Sequence, residues 1–171
     1  MSRYGRRALW SSKRPAAGVT FIELLVTLVI LSILAAAAIP YAELTVRRTR
    51  ELELHRALRT VRTAIDRFHE DWETGRISHL SDAASVDGYP RTLQVLVQGV
   101  PAAGPRGGTV RYLRRIPRDP FANPRQAPTR QWALRGYQDF TNAPTWDGKD
   151  VYDIHSRSPL TAINGTHYRD W

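Results

Sequence analysis

The chain reads as an α+β protein, with one long N-terminal helix, transmembrane in its first half and amphipathic in its second, packed on a small C-terminal antiparallel sheet. Three observations predict this. No charged residue occurs from Leu24 to Ile39, and Val19 to Ile22 extend the stretch to roughly the 20 residues that cross about 30 Å of hydrocarbon. Beyond Pro40, apolar residues recur every three or four positions. Past Gly75 that period gives way to turn residues and short aromatic-rich runs. The boundaries fall as a basic leader over 1–18, a transmembrane helix over 19–40, an amphipathic helix over 41–75, and a loop and sheet domain over 76–171.

The leader carries Arg3, Arg6, Arg7, Lys13 and Arg14 and no acidic residue, which by the positive-inside rule keeps the N-terminus cytoplasmic and sends the C-terminal bulk across. Removing those charges takes the formal net charge from +9 to +4, so much of the basicity is a topology signal.

Within the next segment Glu23 stands out. A carboxylate at a bilayer centre costs about 2.5 to 3.5 kcal/mol on insertion scales, so it points to a function and to a cationic partner. Gly18 precedes it, and Pro40 closes the apolar stretch, where a proline removes one helix hydrogen bond and bends the rod.

In the second half of the helix Leu54, Leu58, Val61, Ile65, Phe68 and Trp72 form one stripe, while Arg56, Arg59, Arg62, Arg67 and Glu70 fall on other faces. The stripe is read as core packing and the basic residues as a solvated face. Gly75 is the expected C-cap, so the helix should run from about Val19 to Thr74 with a bend near Pro40.

From Arg76 to Gly108 the chain is loop-rich, with Asp87-Gly88-Tyr89-Pro90 and Pro101-Ala102-Ala103-Gly104-Pro105 as breakers and a short helix over Thr92 to Val97. The prolines at 117 and 120 forbid a central strand and fix an extended turn, which Asp119 should cap. Trp132 to Phe140 and Lys149 to His155 read as strands. With no cysteine, no disulfide staples this domain in an oxidising compartment.

The run Gly18-Val19-Thr20-Phe21-Ile22-Glu23-Leu24-Leu25-Val26 resembles the signature of the type IV pilin-like family, which includes the pseudopilins of type II secretion. The resemblance implies that a prepilin peptidase cuts after Gly18 and methylates Val19 as the new amino terminus. It also implies that Glu23, at the fifth mature position, pairs with the terminal amine of a neighbouring subunit during assembly. Two charges drawn into a helical bundle each cost several kcal/mol alone, so their pairing would set subunit register. Pro40 matches the family as well, whereas Val19 stands where phenylalanine is usual. The implied fold is pilin-like.

Two further stretches are similar to the major (G-type) pseudopilin of type II secretion systems. Tyr89-Pro90 followed by Leu93 and Leu96 resembles its loop after the long helix, and Tyr112-Leu113-Arg114-Arg115-Ile116-Pro117-Arg118-Asp119-Pro120-Phe121 resembles its segment Y-L-K-K-L-P-K-D-P-W. The implied function is a structural subunit polymerising into a periplasmic pseudopilus for protein export. The implied location is the bacterial inner membrane as a single-pass protein with a periplasmic C-terminal domain. Its partners would be the prepilin peptidase, copies of itself, other pseudopilins and the inner-membrane secretion platform.

Major pseudopilins hold calcium in a C-terminal loop, and calcium takes six to eight oxygens. Residues 156–171 offer a single aspartate, Asp170, beside Arg157 and Arg169, so no cofactor is expected and a hydrogen-bonded loop closed by Trp171 is predicted instead. Asp147, Asp150 and Asp153 form another oxygen-rich run, read as a turn at Asp147-Gly148.

Rival readings exist for several of these features. The basic start, the apolar run and Ala35 to Ala38 also fit a cleaved secretory signal or an anchored periplasmic domain, but neither uses Glu23. A type IV pilus or DNA-uptake subunit would use Arg111, Arg114, Arg115, Arg118, Arg125, Arg130 and Arg135 against phosphates. Aromatic interleaving there is sparse, so nucleic acid is not the expected partner. His55, His69, His79, His155 and His167 lack tight metal spacing, no phosphate-cradling glycine motif occurs, and no enzyme is expected.

Overall fold

A computed structural model describes residues 18–104, 107–140 and 145–171. The leader residues Arg3, Arg6, Arg7, Lys13 and Arg14, and Pro105 of the second breaker, lie outside the described residues. The chain divides into two compact units, residues Met1–Glu43 and Leu44–Trp171. The architecture is α+β and pilin-like: a long apolar N-terminal helix followed by small antiparallel sheets.

Helix α1 spans Phe21–Glu73 and continues through Pro40. It starts where Thr20 Oγ1 accepts the Glu23 backbone N–H at 3.3 Å, which satisfies one of the donors every helix start leaves free. In the first unit Phe21, Ile22, Leu24, Leu25 and the large apolar residues to Leu34 are all exposed. The hydroxyls of Thr27 and Ser32 bond back to the carbonyls of Leu24 and Leu28, so these polar side chains bring no unmet donor to an apolar surrounding.

The second unit is organised around the predicted stripe. Leu54, Val61, Ile65 and Phe68 are fully buried and Leu58 nearly so, each contributing about 1.5 to 3 kcal/mol of apolar burial. Trp72 is partly buried at its end. The helix stops in a Schellman turn: Gly75 has φ 70°, its N–H reaches Trp72 O at 3.0 Å, and the Arg76 N–H reaches Asp71 O at 2.8 Å.

Next come α2 (Leu93–Gln98), β1 (Val100–Pro101), β2 (Thr109–Val110), α3 (Pro128–Gln131), β3 (Trp132–Arg135), β4 (Asp153–Ser156) and a 3₁₀ turn at Tyr168–Asp170. Strands β1 and β2 pair antiparallel with Val100 opposite Val110, and β3 pairs with β4 with Trp132 opposite Ser156. Trp132, Ile154 and Val151 complete the core from the sheet side.

The β3–β4 ladder is shorter than the residue pattern predicts. It ends at Arg135 because side chains take the next donors: Asp139 Oδ2 accepts the Gly136 N–H at 2.7 Å and Asp150 Oδ1 accepts the Tyr137 N–H at 2.8 Å. Trp132 and His155 lie in strands, while Tyr137, Phe140 and Lys149 do not.

Candidate functional site

The expected cleavage position lies just ahead of α1. Gly18, Val19 and Thr20 are not helical, so the bond after Gly18 needs no unwinding to present an extended backbone to a protease. Gly18 does not have a positive φ, and a Cβ placed on it would meet nothing within 4 Å. Its contribution here is therefore open space around the backbone, rather than a left-handed conformation or a softening inside the helix. Val19 is 71% exposed.

Glu23 sits in the first turn of α1, where its carboxylate also faces the positive end of the helix dipole. Thr20 and Glu23 have the T-x-x-E spacing of a capping box, a helix-start signal that the sequence carries at the same position as the expected assembly group. Only half of the box forms, since the Thr20 hydroxyl accepts the Glu23 N–H. Among the described residues the Glu23 carboxylate has no hydrogen-bond or ionic partner in its own chain.

In the second unit the C-terminal segment is locked to α1 by polar groups that periodicity does not announce. Tyr168 is fully buried, stacks on Phe121 at 4.0 Å and donates from its hydroxyl to Glu51 Oε1 at 2.8 Å. Burial raises the Tyr168 pKa, Glu51 adds to that, and the Arg47 contact opposes it. Arg47 donates to the Tyr168 hydroxyl and to the Thr161 carbonyl, and the Ile163 N–H donates to Glu51 Oε1 at 2.8 Å.

Arg62 corrects the reading of the basic residues as a merely solvated face. Its Nε donates to Asp153 Oδ1 at 2.7 Å, and its Nη2 reaches Asp153 Oδ2, the Ile154 carbonyl and the Trp171 carbonyl. Trp171 stacks on His55 at 4.1 Å and donates from Nε1 to Thr166 Oγ1 at 2.7 Å, forming the hydrogen-bonded, tryptophan-packed loop expected there.

The acidic residues are not gathered as their order suggests. Asp153 belongs to Arg62, and Asp170 is exposed beside Arg169 at 3.7 Å. Asp147 and the buried Asp150 instead approach Gly136 together with Asp139. The Asp147 carboxyl is held below its ordinary pKa by the Lys149 backbone N–H and side chain. Among the described residues no group of three or more His, Asp or Glu side chains is arranged to hold a metal ion.

The Tyr112–Phe121 segment is anchored at both ends. The Tyr112 hydroxyl donates to the buried Asp71, and Asp119, also buried, accepts the Phe121 N–H at 2.8 Å and the Ser156 hydroxyl at 2.6 Å. Asp119 thus caps its turn as expected and also ties it to β4. Between these anchors Arg114, Arg115 and Arg118 are exposed along a groove of about 1130 Å³ whose floor includes Ala57 and Thr60 of α1.

His155 is the histidine with the clearest perturbation, its pKa lowered first by burial and then by Arg135. His69 donates from Nδ1 to the Gly88 carbonyl at 3.3 Å and stacks on Tyr89 at 4.2 Å, a packing role.

Residues 13–39 match the family described as Prokaryotic N-terminal methylation motif. No curated protein and no solved structure matches the chain. The motif spans the expected cleavage position, Glu23 and most of the apolar half of α1. That helix is long and apolar enough to cross a membrane.

Proposed function

We propose that this chain is a prepilin-type structural subunit, cut after Gly18, methylated at Val19 and polymerised into a periplasmic pseudopilus of a type II secretion system that exports proteins. One observation carries the reading: an apolar helix, exposed along its length from Phe21 to Leu34, begins beside a non-helical Gly18-Val19 bond and carries a Glu23 carboxylate with no partner among the described residues of its own chain. An exposed apolar surface of this extent needs lipid or other copies of itself. An ion brought into that surroundings needs a counter-charge, and the amine freed at Val19 would be one.

In this reading the subunit waits in the inner membrane with its N-terminus cytoplasmic and its Leu44–Trp171 unit in the periplasm. Glu23 recruits and registers each incoming copy on the secretion platform, and Pro40 adapts the helix for packing. The work is mechanical, with no catalytic group and no cofactor. The likeness of Tyr112–Phe121 to the major pseudopilin segment favours secretion over a pilus for adhesion or DNA uptake.

N-terminal sequencing and intact mass of the membrane-extracted protein, with and without a co-expressed prepilin peptidase, test the proposal. A peptidase-dependent start at Val19 is expected, with a mass that reveals any added methyl group. A start near Ile39 would make it a secreted domain, and an uncut chain beside an active peptidase would leave only an anchor.

A further inference from the structure

The Leu44–Trp171 unit carries two exposed surfaces of opposite charge. The first is the groove edged by Arg56, Arg114, Arg115 and Arg118, net positive although Glu53 also lines it. Among the described residues the side chains of Arg56, Arg114 and Arg115 have no partner, while Arg118 is turned toward the carbonyls of Pro124 and Gln126.

The second surface is built on tyrosines. Tyr89 stacks on Tyr137 at 5.1 Å, and Tyr152 meets both edge-on at 5.1 and 5.4 Å. Tyr137 is 50% exposed and Tyr152 44%, so their rings are open to a partner. Glu73 lies on this side, exposed and 3.3 Å from Nε2 of His69, the ring that stacks on Tyr89 at 4.2 Å, and the exposed Asp66 is close enough to add to the rise in the Tyr89 pKa that burial and the two neighbouring tyrosines produce. Asp87 joins them through Gln138 Nε2 at 3.4 Å.

The two surfaces lie on different sides of α1. Ala57 faces the groove, and Asp66, nine residues on, projects about half a turn away at about 100° per residue. Groove against groove would set four arginines against four with one carboxylate, Glu53, on each side, a net repulsion, and patch against patch would oppose carboxylates. Only groove against patch matches charge, and it also sets guanidinium groups against tyrosine faces. Such a contact is heterologous, so it leaves one free surface of each kind on every pair and propagates.

We propose that the arginine groove of one copy docks on the tyrosine and carboxylate patch of a second copy, Arg114 and Arg115 meeting Asp66 and Glu73. This rests on the filament reading above and adds to it a lateral contact between the periplasmic units, independent of Glu23.

The chain has no cysteine, which makes directed cross-linking clean. The full chain is produced with a prepilin peptidase as Arg115→Cys, Glu73→Cys and the double variant, and membranes are treated with a bis-maleimide. The double variant is expected to give a ladder of dimer, trimer and higher species, whereas each single variant stops at the dimer. Arg114→Glu with Arg115→Glu, placed in a copy carrying other groove and patch cysteines such as Arg56→Cys and Asp87→Cys, is expected to reduce that ladder about tenfold. Adding Asp66→Arg with Glu73→Arg should restore it. Thermal melting of each variant in detergent checks the fold, and the neutral pair Arg115→Gln and Glu73→Gln replaces any charge reversal that misfolds.

A double variant that stops at dimers, in membranes where the chain starts at Val19 and assembles through Glu23, overturns the docking contact and leaves the filament reading standing. A chain that is neither processed nor assembled overturns both. A ladder that survives charge reversal, together with single-stranded oligonucleotide binding that the same reversal abolishes, would make the groove a nucleic-acid site and overturn the proposal.

Discussion

The Tyr112 hydroxyl donates to Asp71 Oδ2 at 3.0 Å, joining the segment after β2 to the last turn of α1. Asp71 is only 6% exposed and also takes Arg76 Nη1 at 2.9 Å, while its carbonyl accepts the N–H groups of Arg76 and Ile77. One residue therefore closes the helix, holds the departing chain and positions the segment that edges the arginine groove. Tyr112→Phe removes one donor from a buried carboxylate and should cost about 1 to 2 kcal/mol. Asp71→Ala strands both Tyr112 and Arg76 and should cost more. Urea unfolding of the detergent-extracted chain measures both, and equal stability of Tyr112→Phe and the parent would show that this bond contributes nothing.

Burial pushes the Tyr112 phenol upward, with the Asp71 bond adding to it, and burial pushes Tyr89 up to about 12. A phenol whose folded pKa is raised holds its proton longer in the folded state than in the unfolded one. Its stabilisation is complete below the ordinary value of 10.0 and is lost as pH rises from there through the folded value. Stability should therefore fall between about pH 10 and about pH 12, and Tyr89→Phe should flatten the decline. His155 acts at the other end: its folded pKa is depressed, so its contribution is full above 6.5 and is lost as pH falls through that value toward the folded one. His155→Gln should remove that acid-side slope in urea titrations.

The parts of the fold that depend on local pattern were legible in the sequence. The spacing of Leu54, Leu58, Val61, Ile65 and Phe68 names residues that are all buried, because a helix repeats its face every 3.6 residues whatever it packs on. The short helix shifts by one residue, to Leu93–Gln98 with Thr92 before it, and Gly75 supplies the left-handed cap expected of it. The strands are shorter than the residue pattern implies because Asp139 and Asp150 compete for backbone N–H groups at Gly136 and Tyr137. The clamps made by Arg47 and Arg62 span more than 90 positions, and no periodicity within one helix can report a contact of that separation. At the candidate site, Thr20 shows a further limit: a residue that matches a family position also takes part in helix initiation through its backbone N–H, and both uses are written in the same four residues.

Arg62 and Asp153 join the C-terminal part of α1 to β4 through two bonds of 2.7 and 3.3 Å. Charge-assisted pairs of this geometry exceed neutral ones, yet Arg62 is 38% exposed, so solvent screening reduces the gain. Asp153→Ala should lower stability by about 1 to 2 kcal/mol, and it also frees the Arg62 guanidinium beside Trp171. Limited proteolysis should then cut first within residues 157–167. Unchanged protection of that stretch would show that the Trp171 and Tyr168 packing holds it without the ion pair.

Gly88 has φ 80°, and a Cβ on it would come within 2.4 Å of the Trp72 ring. Gly88→Ala thus combines an unfavourable backbone region with a clash against a half-buried indole, and should cost well over the roughly 1 kcal/mol of the backbone effect alone. Because Tyr89 follows it and stacks on His69 and Tyr137, the displacement should also reach the tyrosine surface. Near-UV circular dichroism reads that displacement, and an unchanged aromatic spectrum with an unchanged melting point would contradict it.

Glu23 combines a backbone and a side-chain role that substitution can separate. The bond to Thr20 comes from the Glu23 backbone N–H, so Glu23→Ala keeps the Thr20 cap and removes the carboxylate with its favourable position at the helix dipole. Thr20→Val does the reverse: it removes the capping oxygen, at a cost of about 1 kcal/mol, and keeps the charge. If Glu23 registers subunits, Glu23→Ala should insert and be cut after Gly18 like the parent yet lose filament assembly by an order of magnitude or more, with Glu23→Gln equally impaired. Thr20→Val should assemble nearly normally. Membrane extraction, N-terminal sequencing and sedimentation of sheared filaments read the three steps apart. Normal assembly of Glu23→Ala alongside a failing Thr20→Val would assign this turn to helix initiation and remove the charge-pairing role.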